Sequence, residues 1–508
     1  MLTLASVVFT AALQTAAPVL ADAYFYFLQG RMLEGRGDVT GAMAAYRHAA
    51  ELQPKVASIH SELAGLYARA GRADDAISEG EAAVSLDKAD REANRILGLV
   101  KAALAENLSA GARQTQLMND AIGNLEQALV GGRDPGAELT LGRLNVRTNR
   151  LAKGIDTLKT FLSDNPGYPE AVMLLAEAYE RSDKLNDAIE VLSPLADGPD
   201  AQTEVQAMLA SLLEQSNRWK EAAALWGRLA SKSPDPSYRM QQAGAMMNDG
   251  NVTGARDVLT AATKDRPRDP SVWYLLAQAE RRLGNVRGAE DASRRITEID
   301  AADPRGPLAM AEAKEAAGDF AGVVAVLQPL YDRRRADPRA NDEVFSFVAM
   351  TLANAYQELK QFDRAEEALR ALVARDANDD VALNALGYLL IDRGIKLDEA
   401  IGFVRRALAV DPASPSYLDS LGWAFVKQRK FAEAIAPLEQ AAKGAANSSL
   451  LQDHLGDAYF ALKRYRDAAD AYARALTGDR DGVDVTAVTK KRDKARDLAR
   501  HIAANRLM

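Results

Sequence analysis

Four histidines, His48, His60, His454 and His501, stand at four separate places in this 508-residue chain, and there is no cysteine. Imidazole and thiolate are the commonest zinc ligands and frequent catalytic groups, so this inventory opposes a histidine-rich metal site. It also excludes thiol nucleophiles, disulfides and a lipid-modified N-terminal cysteine. Gly131-Gly132 is followed by no Lys-Ser or Lys-Thr pair and reads as a loop, not a phosphate cradle. Neither a nucleophile elbow nor a dinucleotide fingerprint is present. Arg36-Gly37-Asp38 spells an integrin-binding tripeptide, but local turn geometry explains its Gly and Asp. The 71 Asp and Glu offer many carboxylate pairs, which on amphipathic helices are solvated faces. A net charge of −8 opposes contact with phosphate backbones, so no nucleic-acid partner is expected. What remains is the chemistry of binding, with no enzyme activity, metal or cofactor expected.

The elements that would position a binding surface are set by repetition. A Gly or Ala recurs at Gly30, Ala64, Gly98, Gly142, Ala176, Ala210, Ala243, Ala277, Ala311, Ala353, Gly387, Gly422 and Gly456. Eight of the twelve intervals are 34 residues, and a fixed period of this length is the mark of a solenoid. In residues 23–54, Tyr26, Gln29, Gly30 and Leu33 share one face of a first helix. Gly37 and Asp38 break the chain, and Ala42, Tyr46 and Ala49 share a face of a second helix. A second small residue follows the first by twelve, as in Ala64 with Ala76 and Gly422 with Ala434, which predicts that paired helices cross closely. Breakers such as Gly71, Gly250, Gly284 and Gly318 and terminal prolines such as Pro166, Pro234, Pro267 and Pro412 keep the same register. A chain that is 48% hydrophobic and only 6% aromatic fits an all-α core of Ala and Leu.

The pattern resembles the tetratricopeptide repeat, most closely in LGWAFVKQRKFAEAIAPLEQA (421–441) and LGDAYFALKRYRDAADAYARAL (455–476). The resemblance implies a right-handed α-solenoid of about thirteen helix-turn-helix repeats over residues 23–476, followed by a turn and capping helix over 477–508. Insertions are expected near 107–117 and 331–342, and looser pairing where Val323 replaces a small residue. Pro194 and Pro329 are expected to end or kink their helices early. The basic cluster Lys490, Lys491, Arg492, Lys494 and Arg496 reads as the polar outer face of the cap.

In this family the second, fifth, ninth, twelfth and thirteenth residues of each repeat line a concave groove. By that resemblance the groove offers Arg143, Arg147, Glu177, Glu180 and Arg181 toward the N-terminus, then Met240, Met247, Tyr274 and Gln278. Toward the C-terminus it offers Phe347, Met350, Asn354, Asn384, Tyr388, Asp419, Trp423, Asp453 and Asp457, the residues expected to bind a protein or peptide partner. Gln357 and Phe460 extend that set. Asn and Asp can pair with a partner's backbone while the rings supply buried area at little rotamer cost. The alternative is that Tyr388 and Trp423 pack between successive first helices. The family's clamp for chaperone C-termini is not expected, since Asn354 is accompanied by Met350 and Arg95 by Leu99.

Residues 384–394 and 417–435 resemble exported tetratricopeptide proteins of the bacterial cell envelope, including adaptors for a carboxyl-terminal processing protease and its substrates. An apolar stretch from Leu2 to Leu13, followed by Ala21-Asp22-Ala23, reads as a signal peptide cut before Tyr24, although a basic n-region is missing. An uncleaved membrane anchor and an apolar cap on the first repeat are the alternatives. The expected function is an exported, periplasmic or envelope scaffold. The second reading is an anchored scaffold for polysaccharide-export or outer-membrane assembly machinery.

Overall fold

The computed structural model describes residues 3–198, 201–337 and 342–505, with the side chains of 3–18, 342, 504 and 505 outside that description. Among the described residues there are 27 helices and no strand. Twenty-six of them pair into thirteen helical hairpins, from Thr3–Gly35 with Val39–Leu52 to Ser449–Ala461 with Tyr465–Thr477. The last helix, Val485–Asn505, stands alone. The chain divides into two compact units, Met1–Gly250 and Asn251–Met508.

In both units the recurring small residue is where paired helices meet. A side-chain carbon added at Gly30 would lie 2.8 Å from the Tyr46 ring, at Gly142 2.7 Å from Leu158, and at Gly456 2.5 Å from Tyr472. Each of these large residues follows its glycine by sixteen, so the small position makes room for a bulky one on the second helix. The residue at plus twelve supplies backbone: the same carbon at Gly422 would stand 2.5 Å from Leu438 and 3.3 Å from the Ala434 carbonyl. Glycine inside a helix costs about 1 kcal/mol relative to alanine, so close approach must return more than that.

The turn between the two helices has an equally regular cause. Seven residues after the small position the backbone enters the left-handed region, at Gly71 with φ 71° and Gly250 with φ 82°. Non-glycine residues do so at Asn149, Asp183, Asn217, Lys360, Arg429 and Lys463. Asp38 then caps the second helix by accepting from the Gly41 amide at 2.8 Å, so Arg36-Gly37-Asp38 is turn and cap.

Departures from the period are absorbed in helix length. In the third repeat both helices lengthen, to Arg91–Glu106 and Ala112–Ala128. In the ninth the second helix runs Phe320–Ala336, and the next begins at Asp342; positions 338–341 of the expected insertion lie outside the described residues. The prolines behave differently from each other. Leu185–Ala196 is two residues shorter than the usual fourteen, as expected for Pro194. Pro329, in contrast, neither ends nor shortens its helix, because Leu330 and Tyr331 beyond it are buried and hold the continuing turns in place. That packing outweighs the roughly 3 kcal/mol cost of an interior proline. Val323 is fully buried.

The core of Met1–Gly250 is built from local clusters such as Tyr46, Leu63, Leu66 and Tyr67, and Leu209, Leu213, Trp226 and Leu229. That of Asn251–Met508 is more continuous, running from Leu327 and Phe345 through Leu386 to Val404. Val488 and Ala495 of the last helix join Tyr459 and Tyr472, covering the apolar face that the final hairpin would expose. At the other end Ala23 is buried in a single helix, Thr3–Gly35. The leader expected over 1–23 falls mostly on positions whose side chains are not described.

Two substitutions test these rules through urea or thermal midpoints. Gly422→Val forces a branched carbon against Leu438 and should cost about 2–3 kcal/mol. Arg429→Gly relieves a left-handed arginine and should stabilise by up to about 1 kcal/mol.

Candidate functional site

The nine residues expected to bind a partner all lie on first helices of the C-terminal unit: Asp342–Glu358, Asp380–Asp392, Pro415–Lys427 and Ser449–Ala461. On each helix the fifth and ninth repeat positions are four residues apart and so share a face. The pairs are Met350 with Asn354, Asn384 with Tyr388, Asp419 with Trp423, and Asp453 with Asp457.

Their environments differ. Phe347 is 46% exposed and Asn354 is also exposed, with Met350 half-buried between them. Asn384 and Tyr388 are half-buried, and burial, with the charges of Asp392 and Asp419, pushes the Tyr388 phenol up to about 12. It therefore stays a hydroxyl across the physiological range. The Asn384 side-chain oxygen is buried with no hydrogen-bond partner, and so is the Trp423 indole Nε1. An acceptor and a donor left unmet on adjacent first helices each cost about 1–3 kcal/mol.

Asp419 is not offered to solvent. It is only 3% exposed and accepts from His454 Nδ1 at 2.9 Å. The His454 ring stacks on Trp423 with centroids 4.0 Å apart and planes 8° apart, and Lys427 lies 5.1 Å over the indole. Asp419 thus holds His454, and His454 holds the Trp423 ring. Asp453 and Asp457 are also engaged within the chain: Lys491 of the last helix reaches them at 2.9 and 2.8 Å. Burial, with Asp457 beside it, raises the Asp453 carboxyl above its ordinary value despite Lys491.

Two of these partners were not legible as site residues. His454 stands thirty-five residues after Asp419, one repeat plus one, and placing it in that register is the signal that would have found it. Lys491 was read with the solvated face of the cap, since nothing in the cluster singles out one lysine.

The corresponding face in the N-terminal unit carries more ion pairs within the chain, although Arg143 Nε and Asn145 Oδ1 on Pro135–Arg147 are also buried without hydrogen-bond partners. Arg143 pairs with Glu106 at 2.9 Å and Glu170 at 2.5 Å, Arg181 with Glu177 at 3.1 Å, and Gln215 donates to Glu180 at 2.6 Å. Met247 is buried. Among the described residues no group of three His, Cys, Asp or Glu side chains could hold a metal.

Models of the tetratricopeptide repeat match residues 27–93, 147–212, 240–305 and 350–416. The chain belongs to the tetratricopeptide-repeat family. A model of anaphase-promoting complex, cyclosome, subunit 3 matches residues 393–475. TPR repeat-containing protein PA4667 of Pseudomonas aeruginosa is 37% identical over 106 residues, a stretch covering 21% of this chain and 17% of that protein. Similar solved structures include the APC/C hetero-tetramer Cut9-Hcn1, at 12% identity over 93% of this chain and 96% of that one, TM-score 0.39. Yeast Tom70 follows at 16% identity over 87% and 96%, TM-score 0.42. Naa15/Naa10 bound to HypK-THB gives 13% over 89% and 67%, TM-score 0.42. A tetratricopeptide solenoid is a protein–protein interaction scaffold, and proteins of this family generally bind protein partners.

The Asp419–His454–Trp423 arrangement is testable by urea unfolding. His454→Ala leaves a buried carboxylate without its donor and should cost about 3 kcal/mol. Lys427→Ala, on the exposed side of the same indole, should cost less than about 1 kcal/mol.

Proposed function

We propose that this tetratricopeptide protein is an exported scaffold of the bacterial cell envelope. In this reading it holds a protein or peptide on the first-helix face running from Phe347 to Trp423, with a processing protease or its substrates as the partner class. The observation that carries the binding surface is the pair of exposed side chains Phe347 and Asn354 beside half-buried Met350 and Tyr388. An extended partner can pair its backbone with the exposed Asn354 amide, while the Phe347 and Tyr388 rings bury its side chains. The envelope assignment is supported by the leader-like N-terminal sequence and by the tandem at 384–394 and 417–435. Catalysis is not required of such a protein: tethering two partners raises their effective concentration.

Asp453 and Asp457 are less favoured as direct contacts, because Lys491 already occupies them. Their role in this reading is to seat the last helix.

A membrane-anchored scaffold is the second reading, and one observation favours it. Leu20, Tyr24, Leu28 and Met32 recur every four residues along the first helix and are all exposed, with Tyr24 at 63%. An unpartnered apolar stripe of this kind suits a lipid surface or an assembly partner. Among the described residues no helix is long and apolar enough to cross a membrane.

Two measurements test these readings. Tyr388→Ala and Trp423→Ala together should weaken partner capture from envelope extracts at least about tenfold while circular dichroism stays unchanged; undiminished capture moves the site elsewhere. Intact mass of the protein purified from cells should lack residues 1–23 if it is exported and cleaved, whereas their retention in a membrane fraction supports the anchor.

A further inference from the structure

The last helix, Val485–Asn505, has no second helix of its own and sits on the final hairpin through a narrow contact centred on one lysine. Lys491 Nζ lies 3.1 and 2.9 Å from the two Asp453 oxygens, 2.8 Å from Asp457 Oδ2 and 5.7 Å from the centre of the Tyr472 ring. Asp453 and Asp457 stand one turn apart on Ser449–Ala461. The Tyr472 hydroxyl donates to the other Asp457 oxygen at 2.7 Å and fixes that carboxylate. Three oxygens and an aromatic face therefore converge on a single ammonium. One turn further along the same helix, Phe460 lies 5.5 Å beneath Lys494 Nζ.

What else holds the helix there is thin. Of its side chains from 485 to 503 only Val488 and Ala495 are buried, one turn before Lys491 and one turn after it. An ion pair whose lysine stays 35% exposed adds little. Burial and the neighbouring Asp457 keep the Asp453 carboxyl above its ordinary value even with Lys491 in place, so opening the seat to water relieves it. The turn before the helix is anchored separately. The Ser449 amide donates to Asp479 and the Arg480 amide to the Ser449 hydroxyl, ahead of Gly482 with φ 68°. Rotation at that glycine lets the helix leave while the hairpin stays intact.

The seat fits a helix that carries an aliphatic residue, a lysine three further on and an alanine four beyond that, all on one face, as Val488, Lys491 and Ala495 are. A second copy offers only this same narrow seam, so it cannot displace a helix already tethered at roughly millimolar effective concentration; a partner helix with a larger apolar face can. We infer that Asp453, Asp457 and Tyr472 form a lysine-binding seat for a partner helix, covered at rest by the chain's own last helix. The seat lies one repeat beyond the face from Phe347 to Trp423 and does not depend on what that face binds.

The test uses the full chain and, as probe, a synthetic peptide of residues 484–505. In the unaltered protein, hydrogen–deuterium exchange should be at least about tenfold faster over 486–503 than over 450–477. Equal protection would make the last helix a fixed part of the fold and overturn the inference. Val488→Asp with Lys491→Gln unseats the helix in the full chain. That variant should bind the peptide with Kd below about 100 µM, at least about tenfold more tightly than the unaltered protein, because no tethered competitor remains. The peptide carrying Lys491→Gln should bind the variant at least about tenfold more weakly, and so should the original peptide once Asp453→Asn and Asp457→Asn are added to it. Thermal midpoints within a few degrees of the parent show that the hairpins are intact. The inference is overturned if the peptide does not bind, or if the glutamine peptide binds as well, which would leave only an apolar contact. It is also overturned if light scattering of the unaltered protein shows a doubled mass that Asp453→Asn with Asp457→Asn abolishes, which would give the seat to a second copy.

Discussion

The rest of the structure depends on one close contact that recurs along the repeats. A Gly or Ala on the first helix meets the second helix closely, in several repeats through a large side chain sixteen residues on, as Gly30 receives Tyr46 and Gly422 receives Leu438. Two backbones cannot come this near with a larger residue at the contact, and without that approach neither helix buries its apolar stripe. The turn is the counterpart of the contact. Seven residues separate the small position from the left-handed one, so helix length, reversal and return all follow from the same register.

That regularity is why the fold was legible and why much of the site was not. Backbone demands leave a signature in residue type, so the small residues and Gly71, Gly250, Gly284 and Gly318 stood out. Where the same turn is made by Asn149, Asp183 or Arg429, the sequence is silent, because the surrounding helices impose the strained conformation. Pro329 fails to end its helix for a related reason. Proline's local cost is written in the sequence, but the burial of Leu330 and Tyr331 that overrides it is a tertiary fact. The register located the residues on the first-helix faces. It could not say which of them the chain uses itself, because Asp419 and His454 meet through side-chain direction across neighbouring repeats.

The two units use the same positions differently. In the N-terminal unit arginines and glutamates on successive first helices close upon one another, as Arg143 does with Glu106 and Glu170. In the C-terminal unit Asn384 and Trp423 keep a buried oxygen and a buried N–H without partners, in a setting stiffened by His454 beneath the indole. Rings already held in place lose little conformational entropy when a partner arrives. The ion pairing within the N-terminal face, set against exposed Phe347 and Asn354, is what supports our proposal that recognition lies in the C-terminal unit.

The most direct measurement of that claim is site-specific photo-crosslinking in cells with full-length protein, placing the photoreactive residue at Phe347 or Asn354 and, separately, at Arg147 or Val130. The account predicts adducts with a common partner from Phe347 and Asn354 and none with that partner from the N-terminal positions. Adducts from Arg147 or Val130 with none from Phe347 and Asn354 would contradict it.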